Sequence, residues 1–197
     1  MCALVGSSDK KMLEALYMLN SYRGELSYSI CSFARDSSIM VLAQDAGKMP
    51  QGFIDALPGA HFYIGHSQAP TTESTSIHPA VFSDAMLWHN GIVKQREIPD
   101  GVWDTEWMLK GIVAEGFEFL SSVVGSFACI LYMNGQLYLF RNEISPLFVD
   151  AQLNISSTKF YGGEPLTPNT VYQVNMEDLS LVEVAQFETK ENPYFFG

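Results

Sequence analysis

The stretch SFACILYMNGQLYLFR, residues 126–141, is two apolar runs held apart by Asn134-Gly135. Asn-Gly supplies the two positive-φ residues of a type I′ turn, whose twist matches that of paired strands. The reading is a β-hairpin with strands at 126–133 and 136–141. Outward from it, residues 27–34 and 39–43 form a second pair across the polar turn 35–38. Short strands are predicted at 2–5, 62–64, 85–88, 147–149, 153–156, 171–175 and 181–184. Only two long helices interrupt them. One runs over 10–20, with Met12, Leu13, Leu16, Tyr17 and Leu19 at helical spacing, Ser8 or Asp9 to cap it, and Gly24 just beyond. Asp104 caps the other, with Trp107, Met108, Ile112 and Val113 on one side. Strands in series, rather than alternating with helices, predict an α+β protein: two antiparallel sheets with helices packed outside.

Length and composition narrow the function. A chain of 197 residues, 47% hydrophobic and 17% charged, is expected to be one packed domain. With 11 basic against 22 acidic residues the net charge is −11, and no basic run offsets it, so nucleic acid is not an expected partner. No apolar run approaches the ~20 residues of a membrane span. The start of the chain lacks a secretory signature, and Cys2, Cys31 and Cys129 are too few and scattered for a disulfide framework or a zinc site. A reduced, cytoplasmic protein is expected. His61, His66, His78 and His89 show no metal-ligand spacing, so no metal is expected, nor any other cofactor.

Three places have the residue types of amide chemistry, each with a plainer reading beside it. Cys2 is exposed as the first residue if Met1 is trimmed. Its thiol would then carry its own general base, an α-amine that titrates near ~7.7–8.0. It can equally be a small residue starting a buried strand. Asn90-Gly91 offers a side-chain amide and an unshielded backbone N–H as donors to an oxyanion. It can equally be a hairpin turn, as Asn134-Gly135 is. Asp104 is placed to hold a substrate ammonium group, or only to cap its helix. The loop 67–79, about a dozen residues without period, is of a length that is usually functional.

Together these residues resemble the class II glutamine amidotransferases, a branch of the N-terminal-nucleophile (Ntn) hydrolases. Cys2-Ala3-Leu4-Val5-Gly6 is similar to that family's opening C-G-I-V-G, and LNSYRG at 19–24 to its L-x-x-R-G segment. Gly65-His66-Ser67 begins what looks like its G-H-T-R-x-x-T loop, with Thr71 at the closing threonine. His89-Asn90-Gly91 and Asp104-Thr105-Glu106 match its H-N-G and D-T-E signatures. Gly125-Ser126-Phe127-Ala128 resembles its G-x-F-A strand, and Ser145-Pro146-Leu147 and Ser156-Ser157 the elements after it.

The resemblance implies a four-layer αββα sandwich, a single glutamine amidotransferase domain over 1–197 with 190–197 as an extended tail. That tail, with Tyr194, Phe195 and Phe196, either docks on a partner or folds back. It further implies that Cys2 attacks the glutamine side-chain amide, that Asn90 and Gly91 stabilise the oxyanion, and that Asp104 binds the substrate ammonium. Gln68, Thr71, His89 and Arg23 complete the implied substrate site, with Arg23 ordering the chain start or acting only as a surface arginine. Ammonia would pass to a separate synthetase subunit.

The main departure is Gln68, where the family has an arginine that clamps the substrate α-carboxylate. A glutamine has donors but no charge, and charge-assisted bonds are roughly twice as strong as neutral ones. Three explanations stand open: another cation (Arg23, Lys94, Arg96 or Arg141) reaches the carboxylate, the substrate has no free carboxylate there, or the site is degenerate. The alternative functions are accordingly a stand-alone amidase on a γ-glutamyl or other amide, and a catalytically silent binding module on the same fold.

Overall fold

The computed structural model, described over residues 2–69, 76–94 and 97–189, sets two antiparallel sheets face to face. One contains β1 (Ala3–Ser7), β2 (Ser27–Phe33), β3 (Ile39–Ala46) and β4 (Phe62–Gln68), with the short β9 (Phe148–Val149), β10 (Ile155–Ser156) and β11 (Glu164–Pro165). Its order is β11-β9-β10-β1-β4-β2-β3, so the chain start is a central strand. The other contains β5 (Ala80–Phe82), β6 (Ala85–Val93), β7 (Gly125–Met133), β8 (Gln136–Arg141), β12 (Thr170–Asn175) and β13 (Ser180–Gln186), in the order β13-β12-β8-β7-β6-β5.

Period-two alternation explains the layering. Leu4, Ile64, Trp88, Ile130, Leu139 and Ile155 point inward from the two sheets into one shared core. The opposite face of the first sheet, with Val5, Ile30 and Tyr63, packs on α1 (Lys10–Leu19) and the short α2 (Phe53–Ala56) through Leu13, Leu16 and Ile54. The outer face of the second sheet packs on α3 (Asp104–Glu115) through Met108, Leu109 and Ile112. The arrangement is helix, sheet, sheet, helix: the αββα sandwich.

Local signals explain most boundaries. Asp9 caps α1, accepting the Met12 N–H at 2.8 Å. Asn134 and Gly135 take φ of 54° and 72° and close the β7–β8 hairpin, pairing Met133 with Gln136. Two expectations change. β6 continues through His89-Asn90-Gly91 to Val93 instead of ending at Trp88. Asp104 is the first residue inside α3, with Trp103 in the cap position, and its carboxylate accepts from Val93 N and Thr105 N rather than closing the first turn. The elements α2, β5 and β11, two to four residues each, were not expected from the sequence.

Candidate active site

Cys2 lies at the head of β1, only 3% exposed. Burial pushes its thiol pKa above the ordinary value, opposed chiefly by the Ala69 backbone N–H directed at the sulfur. The buried sulfur is therefore a thiol at neutral pH, and its nucleophilicity depends on a base beside it. Arg23 reaches the same residue from the turn after α1, its Nε donating to the Cys2 carbonyl at 2.9 Å. Gly24 follows because the chain presses onto β4: a Cβ there would sit 2.5 Å from the Ala69 nitrogen.

Ser157, just past β10, connects the chain start to Asn90. Its N–H donates to Leu4 O at 2.9 Å, and its Oγ accepts the Leu4 N–H at 2.9 Å. The same hydroxyl lies 3.3 Å from Asn90 Nδ2, while the Asn90 Oδ1 is buried with no partner among the described residues. Asn90 shares the inward face of β6 with Trp88 and Met86, the face that looks across at Leu4.

Gly91 sits within the β6–β7 ladder opposite Phe127, with φ of 154°. Ser126 O approaches so closely that a Cβ would lie 1.9 Å from it. Phe127 spends its own N–H and carbonyl on Asn142, away from β6. Backbone N–H groups alternate sides along a strand, so Gly91 N–H points the way Val93 N–H does. Val93 N donates to Asp104 Oδ2 at 3.1 Å. On that side β5 has already ended, having paired with β6 only as far as Leu87. Among the described residues no strand pairs with β6 at Gly91 on that side, so the Gly91 N–H faces the β6 edge on the side where Val93 meets Asp104.

His89 points to the other face, toward α3. Its Nε2 lies 3.3 Å from Ser126 O and its Nδ1 3.1 Å from Thr105 Oγ1. A carbonyl only accepts, so Nε2 carries the hydrogen and Nδ1 takes the Thr105 hydroxyl. His78 Nε2 in turn lies 3.4 Å from Thr105 Oγ1, and the His78 ring stacks on His66 with centroids 3.9 Å apart. His66 Nε2 reaches His89 O at 3.2 Å. Burial drives His66 down to about 3 and holds His78 and His89 below the ordinary imidazole range, so all three are neutral.

Gln68 ends β4 and is 4% exposed. Its Oε1 accepts the Ser27 hydroxyl at 2.7 Å and lies 3.5 Å from His78 Nδ1, and its Nε2 donates to Ser76 O at 3.0 Å. Of the expected site residues, His89, Asp104 and Gln68 are linked by contacts through Thr105 and His78. Asn90, which precedes Gly91 in β6, reaches β1 through Ser157, and Arg23 holds Cys2. Thr71 and Arg96 lie outside the described residues, as do Met1 and the tail 190–197. Arg141 is engaged elsewhere, donating to Leu166 O at 2.6 Å and to Asn142 O at 3.0 Å. No group of three or more His, Cys, Asp or Glu side chains among the described residues is arranged to hold a metal ion. Ser157, Thr105 and Ala69 were not singled out individually from the sequence. Ala69 acts through its backbone, which leaves no residue-type signal.

No protein-family model matches the chain, and no curated protein matches it. Solved structures do. The glutamine phosphoribosylpyrophosphate (PRPP) amidotransferase from B. subtilis superposes over 93% of this chain and 49% of its own, with a TM-score of 0.66 and 15% identity. A structure described as the allosteric regulatory enzyme of purine biosynthesis gives a TM-score of 0.61 at 14% identity, with the same coverage. A glutamine aminotransferase class-II domain protein from Silicibacter pomeroyi is covered over 99% of its length by 93% of this chain, with a TM-score of 0.54 and 15% identity. The chain spans about half the length of the first two (49%). At such identities the likeness is one of fold, and the chain has the fold of the class II glutamine amidotransferase domains, the Ntn-hydrolase αββα sandwich.

Proposed function

We propose that the chain is an amide hydrolase of the class II glutamine amidotransferase kind, with Cys2 as nucleophile once Met1 is removed. The observation that carries this is the Ser157 bridge, which holds the second residue of β1 and the Asn90 amide on one hydroxyl. It supports the reading because β1, the strand that follows Cys2, and β6, the strand that carries Asn90 and Gly91, meet on that hydroxyl.

In the proposed reaction the free α-amine takes the Cys2 S–H proton as sulfur attacks the side-chain amide carbon. The carbonyl π electrons move to oxygen, which Asn90 and the Gly91 N–H stabilise. The amine returns its proton to nitrogen, ammonia leaves, and a thioester remains. Water, deprotonated by the same amine, then cleaves the thioester to a carboxylate and restores the thiol. Asp104, fixed by Val93 N and Thr105 N, holds the substrate ammonium. Arg23 fixes the Cys2 carbonyl and so the direction of the chain end.

Ser157 also sets the Asn90 amide. Its Oγ already accepts from Leu4 N, so its own hydrogen needs an acceptor. Turned half a revolution, Asn90 gives Oδ1 to that hydrogen and frees Nδ2 for the oxyanion. In this reading the ammonia goes to a separate synthetase subunit, and the protein works in the cytoplasm, where the thiol stays reduced. No helix among the described residues is long and apolar enough to cross a membrane.

The test is intact-mass measurement together with glutamate release from glutamine or release of the corresponding acid from a related amide. Loss of one methionine, and turnover abolished by Cys2→Ala, support the reading. A retained Met1 in native protein overturns it, because the α-amine would then be locked in a peptide bond.

A further inference from the structure

Gln68 stands level with the nucleophile. Ala3 pairs with Ser67 at the end of the β1–β4 ladder, and extending that register by one residue sets Cys2, which precedes β1, opposite Gln68 at the end of β4. His66 and Gln68 share one face of β4 by period-two alternation. The Gln68 amide is tied to Ser27 of β2 and to Ser76, where the described chain resumes after β4. It therefore clamps a loop return against the sheet instead of leaving a socket open for a charged ligand, and what remains to it is one neutral N–H.

The surroundings have the same character. His66 donates through Nε2 to His89 O, so its Nδ1 is a lone pair, and that atom is buried with no partner among the described residues. A lone pair calls for a hydrogen-bond donor, and a carboxylate has none to offer. His78, stacked on His66, is neutral as well. Among the described residues the cation whose charge bears on the Cys2 thiol is Arg23, and it donates to the Cys2 carbonyl, with Nη1 toward Tyr22 and Thr158. Lys94 is exposed. The anchored anion of the site is Asp104.

We infer that the juxtaposition of Cys2 with the internally bonded Gln68, the His66 lone pair and Asp104 selects a glutaminyl side-chain amide whose α-amine is free but whose α-carboxyl is itself an amide or ester, as at the amino end of a peptide. Free glutamine is the poorer ligand, since its carboxylate would shed water against groups that, among the described residues, are neutral and offer it no countercharge. This inference rests on the amide-hydrolase reading for its chemistry and on the Gln68 contacts for its specificity.

Calorimetric binding of L-glutaminamide and L-glutamine to Cys2→Ala protein tests it, paired with wild-type turnover followed by mass detection of isoglutamine and glutamate. L-Glutaminamide is expected to bind at least tenfold more tightly, with a similar ratio in kcat/KM. Equal or tighter binding of L-glutamine overturns the inference, as does binding of neither. The expected binding preference with no turnover of either compound upholds the specificity and overturns the amide-hydrolase reading.

Discussion

The Ser157 hydroxyl lies 3.3 Å from the Asn90 side-chain nitrogen and accepts the Leu4 N–H at 2.9 Å, so one oxygen couples the strand after the proposed nucleophile to the proposed oxyanion donor. Ser157 is a positioning residue in this reading, touching no reacting atom. Ser157→Ala should lower kcat by roughly ten- to a hundredfold, the scale of an oxyanion donor put out of place, with KM little changed. Ser157→Thr, which keeps the hydroxyl, should recover part of the rate. Steady-state kinetics on the three proteins check this, and a rise in KM at constant kcat would contradict it.

Gly91 tolerates no side chain. A Cβ would come within 1.9 Å of Ser126 O and 2.6 Å of Ser126 C, in a backbone conformation of φ 154° that L residues rarely adopt. Gly91→Ala must push β6 and β7 apart at the proposed donor itself. We expect a loss of about 2–4 kcal/mol in unfolding free energy, together with loss of activity. Urea denaturation followed by tryptophan fluorescence measures the first.

Arg23 holds the Cys2 carbonyl through Nε. Arg23→Ala removes that charge-assisted bond and frees the chain start, which should lower kcat/KM by roughly tenfold or more. Arg23→Lys keeps the charge but not the planar fork and should recover little of it. Near-wild-type rates in both variants would remove Arg23 from the proposed machinery.

The buried histidines make stability depend on acid. His66 is driven down to about 3 in the folded protein, against about 6.5 when unfolded, so between these values the unfolded chain binds the extra proton. Stability is then complete above about pH 6.5 and falls as pH drops toward 3; His66 alone contributes a loss of up to about 3 kcal/mol by pH 4. His78 and His89, shifted the same way, add to it. Denaturation midpoints from pH 7 to pH 4 should show this slope, and His66→Gln should flatten it.

A different pH dependence is expected for the rate. The burial-raised thiol needs its proton taken, and the proposed base is an α-amine of ordinary pKa ~7.7–8.0. kcat/KM should climb as pH rises from 6 through about 8. A profile governed by a group near pH 4–5 would point to a carboxylate base instead.

Much of this was legible in the sequence because it is local. The β7–β8 hairpin, the α1 cap at Asp9 and the strand alternation each depend on residues a few positions apart, and the sandwich follows from which faces they leave apolar. The same dipeptide shows where local reading stops. Asn134-Gly135 has the positive φ values of a turn, whereas Asn90-Gly91 lies inside a strand, and the difference is made by Ser126 and Phe127 on the neighbouring strand. Likewise β5 and β11 are only three and two residues long, too short to carry a periodic signal, and exist through pairing with β6 and β9.

The sequence by itself determined that the chain would build two antiparallel sheets and carry a cysteine, an Asn-Gly pair and an aspartate in an order that resembles the class II glutamine amidotransferases. Tertiary structure alone decided that Ser157, 67 residues from Asn90, would join that residue to β1. It also decided that Gln68 would be consumed by Ser27 and Ser76 rather than left open to a ligand. Residue type fixes which bonds a side chain is able to make, but burial and the arrival of remote partners fix which of them are made.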